Sequence, residues 1–292
     1  EGGHDVVFVV TNPDKPSGRG HKLTPPPVKA YALSRGIVVF QPVSLRDTEA
    51  QETIRRAGAD VIIVTAYGKI LPPEILSMPP LGCVNIHASL LPRYRGASPI
   101  TQCILNRDAE TGICFMKMER GLDTGPIYSS IRVPLDHREY GEMLEMKLGV
   151  IAAEITPGTL CSIAAGELEP KPQDDTEATV CTKIRKSDGR INWALSAYDI
   201  EAMVRAYYPW PGASCTMLTT RGEMPVTLTR VLPRRDLGGE PGTVLQADKY
   251  ALIVACGSGA IEIIELSPPG RRAMPAVAFL NGLRGEKPVI LP

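Results

Sequence analysis

The sequence is short of the features that most readily give a function away. Its 32 basic and 32 acidic side chains cancel, so no global field recruits nucleic acid, and any contact with phosphate must come from local patches. Seven cysteines, Cys83, Cys103, Cys114, Cys161, Cys181, Cys215 and Cys256, show neither CxxC nor Cys/His ligand spacing. That argues against a disulfide framework or a metal and fits a reducing compartment. Neither GxGxxG nor GxxxxGK[ST] occurs, so a nucleotide cofactor is not indicated. No apolar run reaches bilayer length and no signal-peptide pattern opens the chain, so a soluble, intracellular protein without a membrane partner is expected. The initiator Met is missing too. The chain opens on Glu1-Gly2-Gly3 and enters an apolar run almost at once, which raises the expectation of a longer natural N-terminus.

What is present is a regular alternation. HDVVFVV (4–10), GIVVF (36–40) and ADVIIVTAYG (59–68) are short apolar runs of the kind buried parallel strands need, and DTEAQETIRRAG (47–58) reads as a crossover helix ending at Gly58. LGCVNIHAS (81–89) is a further strand, SPITQCILNRD (98–108) a helix, TGICFMKME (111–119) a strand and GPIYSSIRVPL (125–135) an outer strand or hairpin partner. A helix over 140–155 is expected to stop before Pro157. The pattern predicts an α/β domain with a doubly wound, mostly parallel sheet over residues 1–166. Residues 167–190 are polar and charged, as a surface linker would be. From 191 to 292 a helix is followed by the short strands ASCTML, PVTLTRVL, GTVLQA, ALIVAC and AIEIIEL, which predict a small OB-like β-barrel.

Within this frame one segment carries chemistry. Asn85 and His87 stand two apart on a strand, so their side chains share a face at its carboxyl end, where ligands bind in open α/β sheets. Downstream, Asp123 lies between Gly121 and Gly125 in a turn expected at the same edge. An amide donor, an imidazole and a carboxylate suffice for acyl-type transfer to an amine: the carboxylate orients the imidazole, the imidazole handles protons, and the amide holds an oxyanion. His4, His21 and His137 lie at a strand start or in polar loops, with no metal role.

Basic patches supply the rest. NPDKPSGRGHKLTPPP (12–27) is long, rich in Gly and Pro, and basic through Lys15, Arg19 and Lys22, so it suits a phosphate-bearing partner that orders it on binding. Lys183, Arg185, Lys186 and Arg190 read as a solvated face, and Arg271 and Arg272 add charge to the small domain. Trp193, Tyr207, Tyr208 and Trp210 can stack on bases, but aromatics among prolines are expected to pack.

NIHASLLPRYRGASPI followed by GLDTG resembles the folate-dependent formyltransferases, and TNPDKPSGRGHKL, FQPVSLR, AYGKILP and INWALSAYDIEAMVRAYYPWPG extend the likeness over nearly the whole chain. The resemblance implies transfer of the formyl group of 10-formyltetrahydrofolate to the α-amino group of methionine on initiator tRNA, in translation initiation. It assigns catalysis to Asn85, His87 and Asp123, and folate contact to Ser89, Leu90, Leu91 and Pro92 with Ile70 and Leu71. It places Lys15, Arg19, His21 and Lys22 at the tRNA acceptor end and implies a basic barrel surface, although Glu240, Glu262 and Glu265 offset that charge here. The resemblance also implies a strand and helix ahead of the segment that opens here, so a longer natural chain is expected. A monomer in a bacterial cytoplasm, or in an organelle of bacterial ancestry, is expected. The competing readings are transfer to an amino sugar or to glycinamide ribonucleotide, and a non-catalytic RNA-binding protein.

Overall fold

The computed structural model describes residues 2–17, 22–220, 222–283 and 287–291. Two compact units are present: Glu1–Arg95 with Gly112–Ile131 and Val150–Thr179, and Gly96–Thr111 with Arg132–Gly149 and Val180–Pro292.

In the first unit the apolar runs become strands only where a neighbour supplies a ladder. Val9–Val10 pairs in parallel with Val39–Phe40, and Ile62–Val64 pairs in parallel with Cys83–His87. The helix Thr48–Arg56 has local causes at both ends. Asp47 accepts from the Glu49 amide at its start, Arg55 and Arg56 sit in the last turn, and Gly58 follows at φ +61°. It buries Ala50 and Ile54, and Ile54 joins a cluster with Leu45, Leu71, Ile75 and Cys83.

The four-stranded sheet runs in the order Ile62–Val64, Cys83–His87, Glu110–Lys117, Ile127–Pro134. The expected strand at 111–119 is there, but it is antiparallel to Cys83–His87, pairing Val84 with Lys117 and His87 with Cys114. The cause is the intervening helix Pro99–Leu105, which packs against Ala197–Ala206 in the second unit instead of crossing the sheet to return in the parallel sense. The carboxyl ends of the two strands therefore lie at opposite ends of the pair, so the sense expected of the 111–119 strand needs correcting, and the Asp123 turn reaches Asn85 and His87 by folding back.

A second correction concerns Pro157. The helix spans Gly141–Ala164 and runs through it. An interior proline costs about 3 kcal/mol. Burial of Leu144 and Leu148 before it and Ile163 after it stabilises by about 1.5–3 kcal/mol for each side chain, enough to carry the helix past the break. Gly166 at φ +72° then terminates it.

Residues 167–179 do not hang free. Lys171 exchanges backbone bonds of 2.8 and 2.9 Å with Ile127, and the Thr179 carbonyl accepts from the Arg95 amide at 2.9 Å.

The second unit is a nearly closed antiparallel barrel. Its strands run in the order Val244–Ala247, Leu252–Ala255, Ala260–Ser267, Gly222–Arg234, Ala213–Thr219, Val289–Leu291. Alternate residues Ala213, Cys215, Met217 and Thr219 face inward. Register shifts near Arg230 and before Gln246 give the bends a small barrel requires. The helix Ala197–Ala206, capped by Ser196 on the Asp199 amide, packs Ile200, Met203 and Val204 against this core. Trp193 and Tyr207 are core residues, Tyr208 meets Tyr140 edge-on at 5.5 Å, and Trp210 is exposed. No described helix is long and apolar enough to cross a membrane.

Candidate active site

Asn85 and His87 project from one face of their strand and are 9% and 6% exposed. Buried polar side chains need partners, and Asp123 supplies them. Asn85 Nδ2 donates to Asp123 Oδ1 at 3.2 Å, and His87 Nδ1 lies 3.8 Å from Asp123 Oδ2.

Asp123 reaches them by a route periodicity does not reveal. Past Lys117 the chain bulges out and folds back, closed by Lys117 N donating to Pro126 O at 2.9 Å. The closure dictates the glycines. A Cβ at Gly125 would sit 1.8 Å from the Lys117 carbonyl oxygen, and Gly121 adopts φ +127°. Asp123 itself is left-handed at φ +54°, a conformation Asp tolerates better than most residues.

The second imidazole nitrogen fixes the proton. His87 Nε2 lies 2.9 Å from the Tyr94 carbonyl oxygen, which can only accept, so Nε2 carries hydrogen. Nδ1, the nitrogen facing the carboxylate, is left as the one that takes or gives a proton. At 3.8 Å Asp123 is at ion-pair range from it, and the orienting hydrogen bond comes from Tyr94 instead. Tyr94 is also left-handed, at φ +61°, and its amide donates to Thr179 Oγ1 at 2.9 Å. The Asn85 amide carries two hydrogens, so one can hold Asp123 while the other meets an oxyanion.

The remaining residues singled out from sequence fall into two groups. Ser89 is fully buried, donating to the Arg93 carbonyl at 2.6 Å, and so ties its own loop together. Leu91 packs on Cys114 and Met116, and its amide donates to the Cys114 sulfur at 3.3 Å. Burial pushes that thiol up to about 11. Leu90 and Pro92 are half-buried. Leu71 belongs to the core, whereas Ile70 is 87% exposed.

Lys15 and Lys22 lie exposed on a short antiparallel ladder in which Lys15 faces Thr24 and Ser17 faces Lys22. Arg19 and His21 lie outside the described residues. Nearby, Lys29 Nζ donates to Asp14 at 2.8 and 2.9 Å and Gln41 Nε2 donates to it at 2.9 Å, and these contacts hold the Asp14 carboxyl below its usual range.

Sequence reasoning had Tyr94 and Arg95 inside the NIHASLLPRYRGASPI run without a separate role for either, and missed Gln173 and Asp175. Gln173 Nε2 donates to the carbonyls of Asp123 and Gly125 at 2.8 and 2.7 Å. Its Oε1 accepts from Arg95 at 3.0 and 2.8 Å, and Arg95 also binds Asp175 at 2.7 Å. Nothing in the polar run holding Gln173 and Asp175 marks them, and Tyr94 acts through its backbone.

Residues 1–160 match the family model described as "Formyl transferase", and residues 183–284 match "Formyl transferase, C-terminal domain". The chain belongs to the formyl transferase family. A methionyl-tRNA formyltransferase of Geobacter sulfurreducens is 42% identical across 98% of this chain and 89% of its own length. One of Myxococcus xanthus is 43% identical across 98% and 91%. Among solved structures, HypX of Aquifex aeolicus in complex with tetrahydrofolic acid shares the fold, with a TM-score of 0.59 and 21% identity. That match covers 87% of this chain and only 44% of HypX.

Proposed function

We propose that this member of the family transfers a formyl group from 10-formyltetrahydrofolate to the α-amino group of methionyl initiator tRNA. The observation that carries the chemistry is Asp123 standing within reach of both Asn85 and His87, supported by 42% identity to a methionyl-tRNA formyltransferase over nearly the whole chain. The residues suit a folate donor. Half-buried Leu90 and Pro92 follow the catalytic strand directly and offer apolar surface to a flat ring, and an amide beside an imidazole suits a formyl oxygen.

The neutral amine attacks the formyl carbon, forming the new C–N bond. Asn85 Nδ2 stabilises the oxyanion of the tetrahedral adduct, joined by His87 once its bare Nδ1 has taken the proton of the attacking ammonium. Asp123 holds the imidazolium form and the Asn85 amide together. As the bond to the folate nitrogen breaks, the proton lost by the attacking ammonium passes through His87 to the leaving nitrogen. Exposed Lys15 and Lys22 supply phosphate contacts to the tRNA. On this reading the chain works as a monomer in a bacterial cytoplasm.

The test is formylation of charged initiator tRNA with 10-formyltetrahydrofolate by the purified chain. Formylmethionyl-tRNA should accumulate. No product with tRNA, alongside product from an amino-sugar nucleotide or glycinamide ribonucleotide, would replace this reading.

A further inference from the structure

Arg95 is a buried cation that the chemistry above does not use. Its guanidinium grips the Gln173 carbonyl oxygen from two nitrogens and reaches the exposed Asp175. A guanidinium can only donate, so it compels Gln173 to present Oε1 to it. The amide nitrogen of Gln173 then has to point the other way, at the carbonyls of Asp123 and Gly125. One NH2 group thus brackets the peptide segment in which Asp123 is held left-handed. The same segment is closed by Lys117 donating to Pro126 and by Met118 donating to the Cys83 carbonyl, and its Asp123 side chain meets Asn85.

We propose that Gln173, oriented by Arg95, is the positioning residue that holds the Asp123 turn in the conformation facing Asn85 and His87. The proposal rests on the catalytic reading given above. A polar segment about fifty residues downstream therefore governs the placement of the carboxylate. Misplacing a reacting group by about an ångström can cost about 10²-fold in rate, so the anchor matters to kcat before it matters to folding.

Gln173→Glu separates positioning from mere structure. The carboxylate keeps an acceptor, and a stronger one, for Arg95, so the melting temperature should hold or rise. It loses the donor and turns an oxygen toward two carbonyls, so the turn should open. We expect kcat to fall about 10²-fold with KM for folate and for tRNA unchanged, and amide hydrogen exchange over residues 118–125 to accelerate while other segments keep parental rates. Gln173→Leu, which removes donor and acceptor, should show the same kinetic loss. Arg95→Lys, which replaces the fork by a point charge, should show a weaker version of it. Parental kcat in Gln173→Glu overturns the proposal, and so does a kcat loss with exchange in 118–125 unaltered. If the parent chain formylates nothing, the proposed function fails, while exchange in the turn still reports whether Gln173 holds it.

Discussion

In the second unit the barrel closes over Ile200, Met217, Leu228, Leu252, Ile261, Ile263 and Leu266, all fully buried and apolar, whereas the first unit buries Asn85, His87, Ser89 and Arg95 between small apolar clusters. Each unit also buries an arginine, and the two are used differently. Arg205 is neutralised by Glu201 one helical turn away, at 2.5 and 2.8 Å. Arg95 reaches across 78 residues to Gln173 and neutralises little, because its carboxylate partner Asp175 is largely exposed. The first arrangement balances charge locally within one helix. The second organises a turn far away in sequence. Apolar burial makes the barrel stable, while polar burial in the sheet unit makes it specific, since each buried donor there fixes the direction of the next.

Mutations should split along the same line. On the proposed mechanism Asn85→Ala removes an oxyanion donor and should lower kcat by about 10²–10³-fold, with tRNA affinity and melting temperature close to parental. A comparable drop in tRNA affinity would break the contrast. Leu266→Ala in the barrel should do the converse, costing about 2–5 kcal/mol in chemical unfolding while leaving kcat near parental under native conditions.

Alkaline pH should weaken both units. Burial raises Cys83 and Cys114 in the first and Cys103 and Cys256 in the second to about 11, from an ordinary 9.0. Unfolded thiols ionise first, so the stability these groups contribute is complete below pH 9 and is lost as pH climbs toward 11. Denaturant midpoints should fall across that interval, and a flat profile would contradict it. In native protein at neutral pH exposed Cys161 should alkylate fast, the buried thiols slowly.

Lys15→Ala should reduce the salt slope of tRNA binding by about 0.7–0.9 for each phosphate left without its cation, with kcat at saturating tRNA preserved. The smallest change belongs to Arg55→Ala, whose pair with Glu52 is exposed to solvent, so the denaturant midpoint should stay at the parental value.

How much could be read in advance differs by element. The α/β unit and the barrel were legible because apolar runs, Gly58 and the turn signals between short strands are local causes acting on neighbouring residues. Asn85 and His87 were legible for the same reason, since a two-residue period puts them on one face. The direction of the Glu110–Lys117 strand was not, because it depends on where the preceding helix packs. Nor was passage of the helix through Pro157, which required the burial of Ile163 beyond it.

The sequence by itself determined the element types, the shared face of Asn85 and His87, and a glycine-flanked turn able to carry Asp123, since each follows from backbone geometry within a few residues. Only the tertiary structure decided that Asp123 folds back from an antiparallel strand to meet them. It also decided that the Tyr94 carbonyl fixes the proton on Nε2 and that Gln173, turned by Arg95, braces the turn. Those are contacts between groups 7 to 78 residues apart, and no local rule of the chain encodes which donor will face which acceptor until the fold has brought them together.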